Sequence, residues 1–270
     1  MHTTHLKPER VLNMAGKVAI VSGAGAAGDG IGIGRACAIT LAQRGAKVCL
    51  IDINLQDAQR TGRMIDEAGG ESMSIQADVG QTDSCRGIVD NVVEHWGRID
   101  ALVNNVGVRG PKGTAVDVDV AAWTSALHTN VTSMMLMARF CIPVMAATAG
   151  SAIVNISSAA GLRGGHPNLL YPTTKAAIVG MTKSMAFHHG KAGIRVNCVC
   201  PGMVHTPLVF GAGIAEERRE ARRDASMLKT EGNAWDIANA VLYLCCDESR
   251  WVTGAVFPID AGLTAITSFY

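Results

Sequence analysis

Short runs rich in β-branched and aliphatic residues alternate with helical patterns along this chain, and that rhythm leaves few folds open. The runs are KVAIVSG (17–23), AKVCLID (46–52), ESMSIQAD (71–78), DALVNNVG (100–107), SAIVNISS (151–158) and IRVNCVCPG (194–202). No internal repeat, low-complexity tract or linker interrupts them. The alternation predicts a parallel sheet of about seven strands with helices on both faces, a three-layer doubly wound α/β fold. With 270 residues, 48% hydrophobic and 17% charged, the chain can bury one large core of this kind. We expect a flexible polar lead-in over 1–15 and one domain over 16–270.

The first unit carries the strongest local signal. After KVAIV comes SGAGAAGDGIGIGRA, from Ser22 to Ala36, with six glycines. IGRACAITLAQRG then places Ile33, Ala36, Cys37 and Leu41 at helical spacing and stops at Gly45, a plausible C-terminal cap. Strand, glycine-rich turn, helix and strand form the unit in which such glycines gain meaning, because helix-start amides attract a pyrophosphate and glycines let it approach. This makes the expected fold Rossmann-type. Gly23, ending the strand, and Gly32 and Gly34, flanking Ile33 at the helix start, fit the phosphate-binding tasks best. Gly28, Gly32 and Gly34 offer the alternative set. Residues 24–30 then form an insertion, with Asp29 expected to face away from the phosphates.

Asp52 ends the second strand, eighteen residues beyond Gly34. A carboxylate there accepts from ribose hydroxyls and repels a 2′-phosphate, which favours NAD over NADP; the alternative is a cap for the helix starting near Leu55.

Composition excludes other classes. A formal charge of +1 provides no global field for nucleic acid, and no apolar run approaches a membrane span. Eight cysteines lack paired CxxC units and read as reduced core thiols, so no metal and a cytoplasmic setting are expected.

Several ordered motifs add to the glycine turn: Asp78 and Val79 in ADV, NNVG (104–107), Asn130, NISS (155–158), YPTTK (171–175) and PGMVHT (201–206). Together they resemble the short-chain dehydrogenase/reductase family, from about Gly16 to Gly262. The resemblance implies an active site of Asn130, Ser158, Tyr171 and Lys175, the serine thirteen residues before the tyrosine. Tyr171 and Lys175 share a helix face, and a nearby ammonium lowers the pKa of a phenol. Tyr171 then exchanges the alcohol proton, Ser158 holds the reacting oxygen, and Asn130 orders a water relaying protons from Lys175.

By the same resemblance the cofactor touches Gly23, Gly32, Ile33, Gly34, Asp52, Asp78, Val79, Asn105, Gly107, Tyr171, Lys175, Pro201, Gly202, Val204 and Thr206. Ser22 for threonine keeps the hydroxyl, and Val106 for alanine adds bulk. His166 and His205 fall in the segments that build the substrate pocket, with a substrate loop at about 204–229. EERREARRD (216–224) reads as a solvated helix face.

The reaction implied is NAD-dependent interconversion of a secondary alcohol and its ketone, with polyols, sugars or cyclic alcohols favoured. A 3-oxoacyl-thioester reductase is the alternative, and a catalytically silent binding protein on the same fold the third. The resemblance also implies a homotetramer, with the tail AGLTAITSFY packed on a neighbouring subunit.

Overall fold

A computed structural model describes residues 12–211 and 213–266. The N-terminal lead-in and the end of the tail lie mostly outside the described residues. Leu12 to Ala15 lie within them and belong to the fold: Met14 is fully buried and its amide donates to the Arg44 carbonyl at 2.9 Å. The ordered chain therefore begins earlier than Gly16.

In chain order the elements are β1 (Val18–Ser22), α1 (Ile33–Gln43), β2 (Lys47–Asp52), α2 (Leu55–Glu67), β3 (Glu71–Gln76), α3 (Thr82–Trp96), β4 (Ala101–Asn104) and α4 (Val120–Leu127). There follow α5 (Ser133–Met145), β5 (Ala152–Ile156), α6 (Leu170–His189), β6 (Arg195–Pro201), β7 (Val204–His205), α7 (Pro207–Phe210), α8 (Glu216–Asp224), β8 (Gly232–Asn233), α9 (Ala234–Cys245) and β9 (Val256–Ile259).

Seven strands form one parallel sheet in the order β3-β2-β1-β4-β5-β6-β9. The six runs read from the sequence are its first six strands. The seventh, β9, was hidden because it is four residues long and contains Pro258; as an edge strand it can omit an amide. β7 and β8 pair separately as two-residue strands at the two ends of the segment that carries α7 and α8.

Central strands are apolar on both faces, and alternate residues feed separate cores. Ala19 and Val21 of β1 join the cluster with α1 and α9, while Val18 and Ile20 join the cluster with α3 and α5. The eight cysteines are free, buried, and spread through both helix layers and the sheet. Strand order reverses between β1 and β4, so the loops leaving their carboxyl ends diverge and open a crevice there.

Candidate active site

At the crevice, Gly23 has φ +65°, and a Cβ at Gly34 would lie 2.0 Å from the Gly23 carbonyl oxygen. The Asn105 side-chain amide donates to that same carbonyl at 3.0 Å, and its backbone amide donates to Ser22 Oγ at 3.2 Å. Strand end, helix start and the NNVG segment thus meet at one junction. Gly32 is the N-cap of α1, with no side chain capping the helix and no acid in its first turn. The first-turn amides around Ile33 and Gly34 therefore remain open to an anion, and the absent side chains leave room for it. On these grounds the residues fit a dinucleotide pyrophosphate. Gly28 also has positive φ but stands in open space away from the helix start.

The insertion is held by a residue the sequence reading missed. Arg35 of α1 is fully buried. Its guanidinium donates to the carbonyls of Ala26 (3.0 Å), Gly28 (2.9 Å), Gly30 (2.6 Å) and Asp57 (3.4 Å), while Nε donates to Thr61 Oγ1 at 3.0 Å. Thr61 passes the link on, donating to the Ala24 carbonyl at 2.8 Å. A planar five-donor fork is what can gather several carbonyls at once. Its one signal in the sequence is a cation one residue after Gly34, beside the apolar Ala36 and Cys37. Asp29 faces solvent and pairs with Arg60 at 3.4 Å.

Asp52 ends β2, beside the glycine turn. Its Oδ2 accepts from the Gly25 amide at 2.9 Å and its Oδ1 from the Asn54 amide at 3.0 Å. Asn54, not Asp52, caps α2. Gly25 was also missed: a Cβ there would meet Asp57 Cβ at 2.7 Å and Asp52 Oδ2 at 2.8 Å. Asp78 accepts from the Gly80 amide at 2.8 Å, and Val79 is buried against α3 and α5.

Lys175 and Asn130 meet beside Gly107, whose Cβ position lies 3.4 Å from Lys175 Nζ and 3.5 Å from Asn130 Oδ1. Asn130 sits in a single π-helical turn, His128–Thr132, a local rewinding common at functional sites. Fully buried, it accepts from Val108 N at 2.7 Å and donates to Val108 O (2.9 Å) and Thr174 Oγ1 (3.1 Å).

Lys175 is buried, donates to the Ile156 carbonyl at 3.0 Å, and lies 5.7 Å from the centre of the Tyr171 ring. Burial pulls its pKa down to about 8. Ser157 is turned inward, donating to the Lys175 carbonyl at 2.7 Å, while the Ser158 hydroxyl approaches the Tyr171 phenol.

Burial raises the pKa of Tyr171; the Ser158 hydroxyl and the charge of Arg109 oppose the rise without overcoming it. The expected lowering by the Lys175 ammonium is not what the structure shows, because desolvation of the phenol dominates. Arg109 was not foreseen at this site.

On the substrate side, Gly202 packs on Asp260, where a Cβ would lie 2.6 Å from its Cα, at the turn after Pro201. Val204 and Thr206 are buried. The His166 ring lies against Tyr171, centroids 5.4 Å apart, and His205 stacks on Phe210 at 3.5 Å. His205 also pairs at 3.6 Å with Glu231, a carboxylate missed from sequence that Arg219 and Arg222 hold as well. The EERREARRD helix is thus partly a tether for the loop. A cavity of about 450 Å³ is lined by Ala27, Gly30 and Ile31 of the glycine turn and by Thr206, Pro207 and Trp235. Another, of about 360 Å³, lies at the amino ends of the strands near Arg195 and Trp251, away from this chemistry. Among the described residues, no three His, Cys, Asp or Glu side chains group as metal ligands, and no helix is long and apolar enough to cross a membrane.

Fold and site define a nucleotide-binding oxidoreductase class. A family model described as Enoyl-(Acyl carrier protein) reductase matches residues 25–264. The chain is 33% identical to cis-4-hydroxycyclohexanecarboxylate dehydrogenase of Sinomonas cyclohexanicum, covering 93% of this chain and 98% of that one. It is 31% identical to the 3-oxoacyl-[acyl-carrier-protein] reductase of Thermotoga maritima, covering 93% and 99%. Among solved structures, a 7α-hydroxysteroid dehydrogenase complexed with NADH and 7-oxo glycochenodeoxycholic acid superposes with a TM-score of 0.87 at 32% identity, covering 93% of this chain and 95% of that chain. The chain belongs to the short-chain dehydrogenase/reductase family and is an oxidoreductase of it.

Proposed function

We propose that the protein interconverts a secondary alcohol and its ketone, with NAD as the partner in hydride transfer and Tyr171 as general acid and base. The observation that carries this reading is a chain of neighbours: Asn130 and Lys175 meet beside Gly107, Lys175 lies against the Tyr171 ring, and the Ser158 hydroxyl approaches the Tyr171 phenol. In oxidation the Tyr171 phenolate takes the hydroxyl proton of the alcohol, and in reduction the phenol returns it. Ser158 donates to the reacting oxygen and fixes it as charge develops. Lys175 presents its ammonium to the nicotinamide ribose and to the phenol, and with Asn130 and an ordered water it returns protons to solvent. When bound, the dinucleotide supplies a hydride acceptor or donor at the substrate carbon. Its phosphates rest on the α1 start at Gly32, Ile33 and Gly34, with Gly23 behind them. Asp78 and Val79 border the adenine, Asn105 and Gly107 line the ribose, and Pro201, Gly202, Val204 and Thr206 receive the nicotinamide end.

Asp52 supports NAD, because a 2′-phosphate beside an ionised carboxylate is repelled. Cyclic secondary alcohols, sugars and polyols are the favoured substrates. Their support is the His166 ring against Tyr171, the His205–Phe210 pair on the cavity between the glycine turn and α7, and relatives named for cyclic and steroid alcohols. Free buried thiols support a cytoplasmic setting, and exposed Phe187 and Met135 on α6 and α5 support a homotetramer. The test incubates the protein with NAD or NADP and a panel of secondary alcohols, following reduced nicotinamide by absorbance; no turnover across the panel refutes the reading. Tyr171→Phe is expected to bind NAD and lose turnover. Similarity to the 3-oxoacyl-[acyl-carrier-protein] reductase favours a second reading, reduction of 3-oxoacyl thioesters, which acetoacetyl-thioester reduction with NADPH tests directly.

A further inference from the structure

From Val120 to Ala215 the chain contains no aspartate or glutamate, although it has 23 acidic residues in all. This acid-free stretch supplies Asn130, Ser158, Tyr171, Lys175 and the start of the substrate loop. The remaining wall, Asn105 to Val116, is also free of acids. The nearest two carboxylates in sequence are already employed: Asp117 accepts from Thr114, and Asp119 caps α4. The segments that carry the phenol, Asn130, Ser158 and Arg109 therefore bring no carboxylate of their own to the cleft; the His166 ring lies against Tyr171, and Glu231, which reaches His205 of the loop, is itself held by Arg219 and Arg222.

Arg109 is held with unusual firmness at its backbone. Val108 is gripped by both ends of the Asn130 amide, and Gly110, with φ +69°, lies so close to Leu170 that a Cβ would come within 2.3 Å of its side chain. The residue is thus fixed between Asn130 and the turn that carries Tyr171. One guanidinium nitrogen donates to the Leu208 carbonyl of the substrate loop at 2.6 Å. Among the described residues no carboxylate lies within ion-pairing distance of it, so the rest of the fork is unspent. His166 has Nδ1 taken by the Asn168 backbone, which leaves Nε2 as the ring atom for a ligand. An arginine without an acid partner attracts and orients an oxyanion, and its fork matches a carboxylate in two parallel hydrogen bonds.

We propose that Arg109 anchors an oxyanion on the substrate, so the substrate class is a secondary alcohol or ketone that bears a carboxylate, or an acid group of like geometry, away from the reacting carbon. This inference rests on the alcohol–ketone reading above. It makes Arg109 a specificity-determining residue at the catalytic end of the crevice, opposite the adenosine end where Asp52 lies.

The experiment compares kcat/KM for 3-hydroxycyclohexanecarboxylate and 3-hydroxybutyrate, each beside its methyl ester, with NAD in excess. The wild type is expected to favour the acids about tenfold or more. Arg109→Gln brings that ratio toward one, Arg109→Lys gives an intermediate ratio, and Lys191→Gln, removing a cation at the far end of α6, leaves the ratio in place. A wild-type ratio at or below one, or a preference that survives Arg109→Gln, overturns the proposal. If neither acid nor ester is oxidised, calorimetric binding of cyclohexanecarboxylate and its methyl ester to the NAD-saturated protein decides. Tighter acid binding that Arg109→Gln abolishes supports the anchor, and equal or absent binding overturns it. Oxidation of cyclohexanol by the same preparation reports separately on the alcohol–ketone reading.

Discussion

The α-carbon of Gly34 faces the carbonyl of Gly23 so closely that a methyl group at position 34 would stand 2.0 Å from the oxygen. No rotamer relieves that clash, since both partners are backbone. Gly34→Ala is expected to push α1 away from β1 and abolish NAD binding, measured by calorimetry. Retained affinity would show that the junction yields more easily than its geometry implies.

Arg35 gathers the insertion, and removing it takes the side-chain donors from the carbonyls of Ala26, Gly28 and Gly30 at once. Arg35→Met should lower the unfolding free energy by about 1 kcal/mol or more, the cost of leaving part-buried acceptors without their donors. It should also weaken NAD binding, because the loop beside the phosphates loses its shape. Denaturant unfolding and NAD titration of the variant check both parts.

Asp52 is expected to exclude NADP by charge. Asp52→Ser removes that charge and the support it gives to the Gly25 amide. The ratio of kcat/KM for NAD over NADP should fall by about tenfold or more, equivalent to about 1.4 kcal/mol. An unchanged ratio would move the selectivity elsewhere.

The pH dependence follows from Tyr171. On the proposed reading alcohol oxidation needs the phenolate, whose formation burial opposes and Arg109 favours. Oxidation should therefore rise with pH. Arg109→Gln removes a positive charge, which raises the phenol further and moves the rising limb to higher pH. Lys175, drawn down to about 8, titrates in the same region, so the apparent value belongs to the pair. The measurement is kcat/KM against pH for both proteins; a shift to lower pH would contradict the sign.

Much of this was legible in the sequence because parallel strands buried on both faces announce themselves as apolar runs, and because Tyr171 and Lys175 must share a helix face. The structure sets Gly23, Gly32 and Gly34 at the junction and Asp29 in solvent, as the flanking strand and helix required. Arg35, Gly25, Arg109 and Glu231 were not legible. Each acts through partners distant in sequence: Arg35 through carbonyls on a loop, Gly25 through a near-contact with Asp57, Arg109 through Leu208, and Glu231 through arginines on α8. Local pattern carries no record of such meetings. The raised Tyr171 was missed because desolvation depends on what covers the ring.

The distribution of buried thiols also gives the molecule a set of internal reporters. Cys37 and Cys245 belong to one helix layer, Cys85 and Cys141 to the other, and Cys49, Cys198 and Cys200 to the sheet between them. Burial raises Cys49 and Cys85 to about 12 and about 11, so these two offer little thiolate to an alkylating reagent in the folded protein, whereas at Cys200, lowered by its hydrogen bond with Cys198, protection comes from burial alone. Each thiol becomes reactive only when its own layer opens. Labelling followed residue by residue would therefore time the loosening of each layer, without any probe being introduced.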